Sequence, residues 1–345
     1  MSDSLSYAKT GVDIDVTDAA KRNMAGSIDR GDRRVLNRLG AFASLVDGRF
    51  EGYDHPVLVL KTDEPGSKQK LAFELGRVSS IAYDLVNHLL NDIVVMGAEP
   101  LYVQDCIVCG TIDPAIVKEL VDGLAEACRA QGCVLTGGET SVQPGVIADG
   151  VYVLSASAIG VVERDRIIDG TGTVAGDVVL AVASNGLHTN GYTLVRKLLE
   201  DNLVLKATDI DGESFLDVVM RPHKCYYQAI RKLFQQNGLK SFAHITGGGI
   251  GDNLNRVLPT SLDASVDLSL LRVPAVFGVI RAAGKVSDTD MVRTFNTGVG
   301  LAVVCSPEAA PAIIEHMQSK DCACYPIGEI IPGSGNVQLY GAVVW

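Results

Sequence analysis

VSSIAYDLVNHLLNDIVVMGAEPLYVQDCIVCGTIDPAIVKELVDGLAEACRAQGCVLT, residues 78–136, is the stretch on which the fold class turns. Leu85, Val86, Leu89, Leu90, Ile93 and Val94 recur at helical spacing, so a helix is predicted over 78–96. The apolar run 101–108, which follows a turn-forming Gly97, reads as a strand. Asp113 then stands as a cap, Pro114 in the first turn and Gly132 past the end of a second helix over 115–130. A short strand at 134–136 follows. Helix, strand, helix, strand in succession predicts layers of both kinds around one core.

Outward from this stretch the pattern continues. Residues 57–60 read as a strand, and everything before about Gly52, including GVDIDVTDAA and NRLGAFAS, reads as a polar, glycine-punctuated arm. Residues 151–162 form a further strand. The segment ERDRIIDGTGTVAGD, 163–177, is rich in charge, Gly and Thr and predicts a boundary between domains 1–168 and 169–345. The second half repeats the alternation, with strands at 178–183 and 300–305, helices at 192–200, 226–235, 250–258 and 309–318, and short strands in the tail. A chain of 345 residues suits two such domains, each α/β or α+β.

Composition narrows the function. Hydrophobic residues make up 47% and charged residues 21%, which is globular rather than disordered. A net charge of −11 without a Lys/Arg cluster speaks against nucleic acid as a partner. The opening MSDSLSYAKT lacks the marks of a signal peptide, and no apolar run approaches the roughly 20 residues of a membrane span, so a cytoplasmic protein with no membrane partner is expected. Cys106, Cys109, Cys128, Cys133, Cys225, Cys305, Cys322 and Cys324 read as reduced structural thiols. The Cys106/Cys109 pair has no second pair at zinc-site spacing.

Chemistry concentrates in five segments. Asp84, Asn87, His88, Asn91 and Asp92 line one face of the first helix; short polar heads in place of Lys and Glu suit a hard cation or phosphate, against the plainer reading of a solvated face. TDEPGSK, 62–68, offers Asp63 to a magnesium ion and Lys68 to phosphate, although an exposed turn explains it as simply. LTGGETS, 135–141, places two glycines after a short strand and before Glu139, as a ligand approach or merely a tight connection. SNGLHTNGYTLVRKLL, 184–199, and HITGGGIGDNLNRVL, 244–258, each lead small and polar residues into a helix and could hold a 5′-phosphate. RTFNTGVGL, 293–301, reads as a polar loop entering a strand. Neither a nucleophile elbow nor a dinucleotide fingerprint occurs.

Taken in order, SYAKTGVDID, NDIVVMGAEPL, GGET, VVERDRIIDG, GLHTNGYTLVRK, HITGGGI, RTFNTGVG and IGEI resemble the phosphoribosylformylglycinamidine cyclo-ligases, the aminoimidazole ribonucleotide synthetase family of purine biosynthesis. The resemblance spans nearly the whole chain. It implies a two-domain α/β (α+β) fold: an N-terminal domain that binds ATP and pairs with a second subunit into a dimeric β-barrel, and a C-terminal αβ layered domain that binds the ribonucleotide. It further implies ATP and Mg2+ as cofactors, a homodimer, and ring closure by phosphorylation of a formyl oxygen followed by attack of a substrate nitrogen.

Carried over by motif, Asp63, Lys68, Asp84, Asn91, Asp92, Gly138, Glu139 and Thr140 would contact the nucleotide, with Asp63, Asp92 and Glu139 on the metal. His188, Thr189, Asn190, Gly191, Gly247, Gly248 and Gly249 would hold the substrate. No general base is assigned. The chain departs from the family's TDGVGTK at Glu64 and Pro65, from its GETAEMPG at Val142, from its GGLGGF in the NRLGAF of 37–42, and at Asn87 and His88. Alternatives are a paralogue of the same superfamily acting on another amide or acid, and a nucleotide-binding protein without turnover.

Overall fold

A computed structural model describes residues 14–28, 31–37 and 42–345. The chain forms two compact units: the first runs to Leu90 and resumes at Pro100–Val161, and the second comprises Asn91–Glu99 and Val162–Trp345. The segment 91–99, at the end of the first long helix and in the turn after it, therefore belongs with the second unit, which a single cut near residue 168 does not anticipate.

The first unit contains α1 (Ile14–Ile28), β1 (Pro56–Asp63), α2 (Lys68–Glu74), most of α3 (Val78–Val94), β2 (Glu99–Cys109), α4 (Pro114–Ala130), β3 (Val134–Val142) and β4 (Tyr152–Glu163). Its sheet has the order β1-β4-β2-β3, with β2 and β3 parallel. Asp113 caps α4 as expected, its carboxylate accepting from the Ala115 N–H at 2.8 Å. Leu85, Val86 and Leu89 of α3 and Leu120, Val121 and Leu124 of α4 are buried, and Gly123 brings α4 so close to Ala82 that a Cβ there would lie 2.9 Å from it.

The expected N-terminal arm is corrected over 14–28: these residues form a helix packed on α4 and β3. Ala20, Met24 and Ser27 carry its buried stripe at i, i+4 and i+7, and the Ser27 hydroxyl bonds Asp122. So short an apolar stripe among polar residues is easily read as loop. The preceding GVD and most of SYAKTGVDID, with 38–41 of NRLGAF, lie outside the described residues.

β1 and β3 are the sheet edges, and the sheet does not close on itself among the described residues. Along β1 the outward positions expose Leu58 at 51% and Leu60 at 69%, more than an isolated solvent-facing strand ordinarily shows. Cys106 and Cys109 sit three apart on β2 and so on opposite faces, which rules out a shared metal. All eight cysteines are free.

The second unit continues with β5 (Val178–Ala183), α5 (Tyr192–Asp201), a two-residue pair β6 (Asp209–Ile210) and β7 (Glu213–Ser214), α6 (Phe215–Val219), α7 (Tyr227–Ile230), β8 (Leu239–His244), α8 (Gly249–Leu254), β9 (Leu262–Asp267), α9 (Ala275–Gly284), α10 (Asp288–Thr294), β10 (Val299–Cys305), α11 (Ala310–Gln318), β11 (Cys324–Pro332) and β12 (Val337–Tyr340). The sheet order is β12-β9-β11-β5-β10-β8, antiparallel except where β12 runs parallel to β9. β5 and β10 are central and β10 is buried at every residue. Val179, Ala181, Ala243, Val266, Ala302, Val304 and Ile327 pack with Ile250 and Leu254 of α8 into one core. No helix among the described residues is long and apolar enough to cross a membrane.

Candidate functional site

In the first unit β1 delivers Asp63 at its last position. Asp63 Oδ2 lies 3.3 Å from His88 Nε2 and 3.0 Å from Lys61 Nζ, and Oδ1 accepts from the Glu64 N–H at 2.8 Å. Burial alone would push this carboxyl up, but the His88 hydrogen bond and charge, the Glu64 amide and Lys61 together hold it well below the usual carboxylate range. It is thus an anion at any physiological pH.

The turn after it is short: Pro65 is buried, Gly66 adopts φ 64°, and α2 begins at Lys68. Lys68 and Asp84 are each fully buried, with Nζ 2.8 Å from Oδ2 and 2.9 Å from Oδ1. Both were expected at the nucleotide. The structure pairs them with each other, as an ammonium taken wholly out of water requires a carboxylate beside it. Burial pulls the Lys68 ammonium below its ordinary value, against the opposing pull of Asp84.

LTGGETS proves to be strand rather than the end of one, since β3 runs to Val142. One extra residue, Thr136, interrupts the pairing between Val103/Leu135 and Gln104/Gly137, and Gly137 takes φ 132° at this bulge. Glu139 is exposed. Gly138 faces Asp105 on β2, and a Cβ there would lie 2.4 Å from the Asp105 carboxylate. Sequence reasoning missed Asp105, although an acid within the apolar strand LYVQDCIVC was a usable signal. Burial, with a contribution from Glu139, raises its carboxyl to about 7. A perturbed acid next to a second carboxylate is characteristic of functional sites.

The second unit begins with the end of α3. Asn91 is wholly buried and holds backbone: its Nδ2 donates to the Lys224 carbonyl at 2.8 Å and its Oδ1 accepts from the Tyr226 N–H at 2.9 Å. Asn91, expected at the nucleotide, braces 224–226 in this way. Asp92 Oδ1 accepts from His244 Nδ1 at 2.7 Å.

The loop between β5 and α5 turns inward at His188, which sits at φ 62°, a backbone region few side chains adopt. His188 and Thr189 are buried. The His188 ring stacks on His223 with centroids 3.9 Å apart, and Thr189 Oγ1 lies 3.3 Å from His223 Nδ1. A Cβ on Gly191 would collide with Phe295 at 2.0 Å.

Asn190 does meet the triple glycine: its Oδ1 would lie 3.2 Å from a Cβ on Gly247, which is exposed. Gly248 and Gly249 adopt φ 91° and 63°, and a side chain on Gly249 would strike the Val292 carbonyl at 1.9 Å. Asn296 in RTFNTGVGL is buried and ties Gly186 and Gly298 together, so that loop braces the unit. His223, which no sequence signal singled out, and His244, the first residue of HITGGGI, form a cluster with His188 whose ligand atoms all lie within 4.8 Å of one another.

Comparison with known proteins agrees over nearly the full length. Residues 50–162 match the family profile described as AIR synthase related protein, N-terminal domain, and 174–339 match its C-terminal domain. The chain is 42% identical over 327 residues to a phosphoribosylformylglycinamidine cyclo-ligase of Nitrosospira multiformis, covering 94% of this chain and 93% of that one. It is 42% identical to that of Chromobacterium violaceum, covering 95% of each. Among solved structures, the hydrogenase maturation protein HypE in complex with ATP superposes with a TM-score of 0.67 at 16% identity, over 95% and 90% of the two chains. Thiamine-monophosphate kinase from Stenotrophomonas maltophilia gives 0.65 at 17% identity, over 96% and 98%.

Proposed function

The chain belongs to the AIR synthase related family, and we propose from that premise that it closes the imidazole ring of purine precursors at the expense of ATP. The observation that carries the reading is the 42% identity over almost all of both chains. In this reaction a phosphoryl group passes from ATP to the formyl oxygen of formylglycinamidine ribonucleotide. A substrate nitrogen then attacks the same carbon, and phosphate leaves. An amide oxygen is a poor leaving group until phosphorylated, so the protein's task is to position and to neutralise charge.

We assign the nucleotide side to the first unit. Asp63, held ionised, and the exposed Glu139 supply hard carboxylate oxygens, which fits Mg2+. When bound, that ion would offset the phosphate charge. Thr140 and the backbone at Gly138 stand beside Glu139 on β3. Lys68 and Asp84 act here by holding α2 against α3.

The ribonucleotide phosphate is assigned to Asn190 and the backbone of Gly247, Gly248 and Gly249 in the second unit. Backbone amides approach an anion closely only where no side chain intervenes. The exposed leucines of β1 support the homodimer with an intersubunit barrel, and a cytoplasmic location accompanies the pathway.

The test is ADP release by the purified chain with Mg2+, ATP and formylglycinamidine ribonucleotide, with the aminoimidazole product measured alongside. ADP matched by product supports the reading. ADP without that product, or neither, overturns it in favour of a paralogue acting on another amide or acid.

A further inference from the structure

Of the three histidines that cluster in the second unit, His223 alone lies outside the motifs read from the sequence, and the proposed reaction gives it no task. Its ring is buried and serves two consecutive residues of the loop between β5 and α5. One face stacks on the His188 ring, with centroids 3.9 Å apart and planes 20° from parallel. Its Nδ1 lies 3.3 Å from Thr189 Oγ1. Its Nε2 lies 3.0 Å from His244 Nε2, and His244 Nδ1 in turn lies 2.7 Å from Asp92 Oδ1. Each link needs one hydrogen, which an imidazole can give or take at either nitrogen, so this chain of contacts is satisfied without an ion.

The segment that carries the ring is itself held on both sides. Before it, Asn185 Nδ2 donates to the Pro222 carbonyl at 2.8 Å; after it, Asn91 spans Lys224 and Tyr226. The loop 186–191 is fixed at its ends as well: Asn296 Nδ2 donates to the Gly186 carbonyl at 2.9 Å, and Gly191 abuts Phe295. Between those points His188 sits at φ 62°, an unfavourable conformation that persists only where its surroundings enforce it. The stack on His188 and the bond to Thr189 both come from His223, so one ring sets the direction in which the chain leaves the turn.

Asn190 is the next residue. It is half-buried, and its Oδ1 stands 3.2 Å from where a Cβ on Gly247 would be. Displacing the turn moves Asn190 relative to the glycine loop, and a ligand held between fixed groups is sensitive to shifts of about 1 Å.

We infer that His223 is a positioning residue of the ribonucleotide site: its ring holds the turn at His188 and Thr189, and through them fixes Asn190 opposite Gly247. The inference rests on the assignment of the substrate phosphate to Asn190 and the triple glycine, and it names what keeps those two loops in register.

The test uses the full chain. His223→Asn keeps a polar group on the Thr189 side, His223→Phe keeps a ring over His188, and His223→Ala keeps neither. Calorimetric titration with ribose 5-phosphate, without ATP, is expected to show binding weakened about 10-fold in His223→Ala and less in the other two, the size of one or two lost hydrogen bonds. With Mg2+ and ATP, the KM for formylglycinamidine ribonucleotide rises correspondingly while the KM for ATP is unchanged. A stack that serves folding alone behaves differently: its loss lowers the active fraction, and so kcat, and leaves both KM values and the ribose 5-phosphate affinity as they were. That pattern overturns the inference, as does failure of the parent to bind ribose 5-phosphate. A measurement on the parent alone covers variants that do not fold. The ring signals of His188 and His223 in NMR spectra are expected to shift on saturation with ribose 5-phosphate, while that of His316, bonded to the Ala229 carbonyl, stays in place. An unmoved His223 signal overturns the inference too. Binding weakened as expected, in a chain that forms no aminoimidazole product, upholds the inference and removes only the ring-closure reading.

Discussion

Lys68 Nζ lies 2.8 Å from Asp84 Oδ2, and neither side chain is exposed at all. A pair so enclosed is costly to break from one side and cheap to replace as a whole, because the remaining charge would be stranded without water. Lys68→Met alone is expected to destabilise the chain by about 3–5 kcal/mol, and Asp84→Leu alone by a similar amount. The double variant recovers most of that loss. Urea unfolding of the three variants measures the coupling. If the double variant also retains the KM for ATP, the pair acts through the fold rather than on phosphate.

Asp105 predicts an unusual pH dependence. Its carboxyl ionises near 3.8 when unfolded and at about 7 when folded, so the folded state holds the proton more tightly. The resulting stabilisation is complete below about pH 4, declines as pH rises through the interval, and is gone above about pH 7. Asp105→Asn cannot ionise. In chelator, its melting temperature relative to the parent should therefore climb from pH 5 to pH 8, a change of order 3 kcal/mol. A difference that stays flat across this range would contradict the burial of the acid.

Gly191 is the N-terminal boundary of α5 at φ 78°, with the Phe295 ring where a side chain would go. Gly191→Ala adds both backbone strain and a clash, and is expected to cost about 2–4 kcal/mol. Thermal unfolding of Gly191→Ala with and without Phe295→Leu separates the two, since the smaller side chain relieves the clash and leaves the strain.

Asn91 clamps 224–226 by both ends of its amide. Asn91→Ala leaves a buried Tyr226 N–H and Lys224 carbonyl without those partners and is expected to cost about 2–3 kcal/mol. Hydrogen exchange should localise the loosening to the Tyr226 amide. Because the amide is used entirely on backbone, ATP binding should fall no further than the lost stability accounts for.

Local pattern made much of the fold legible. The Asp113 cap, Pro114 and Gly132 marked α4 correctly because helix ends are specified by a few neighbouring residues. The strands of β5 and β10 were equally plain as apolar runs. α1 was not, since Ala20, Met24 and Ser27 make too thin a stripe to stand out. β8 and β9 and the helices over 275–294 also went unread. At the candidate site, position along the chain picked out Asp63, Glu139, Asn190 and Gly247–Gly249 as candidates by motif. It did not reveal that Lys68 pairs with Asp84 or that Asn91 holds backbone, because a polar face on a helix looks the same whether it meets ligand, solvent or another buried charge.

What the sequence by itself determined was the family and the order of elements, both of which depend on residue type and spacing along one line. Which polar groups neutralise one another was decided by tertiary structure alone. Lys68 finds Asp84 sixteen residues on, Asp92 finds His244 across 152, and Asp105 is raised by its burial and by Glu139. Those energies depend on distance and on exclusion of water, and neither exists until the chain has folded.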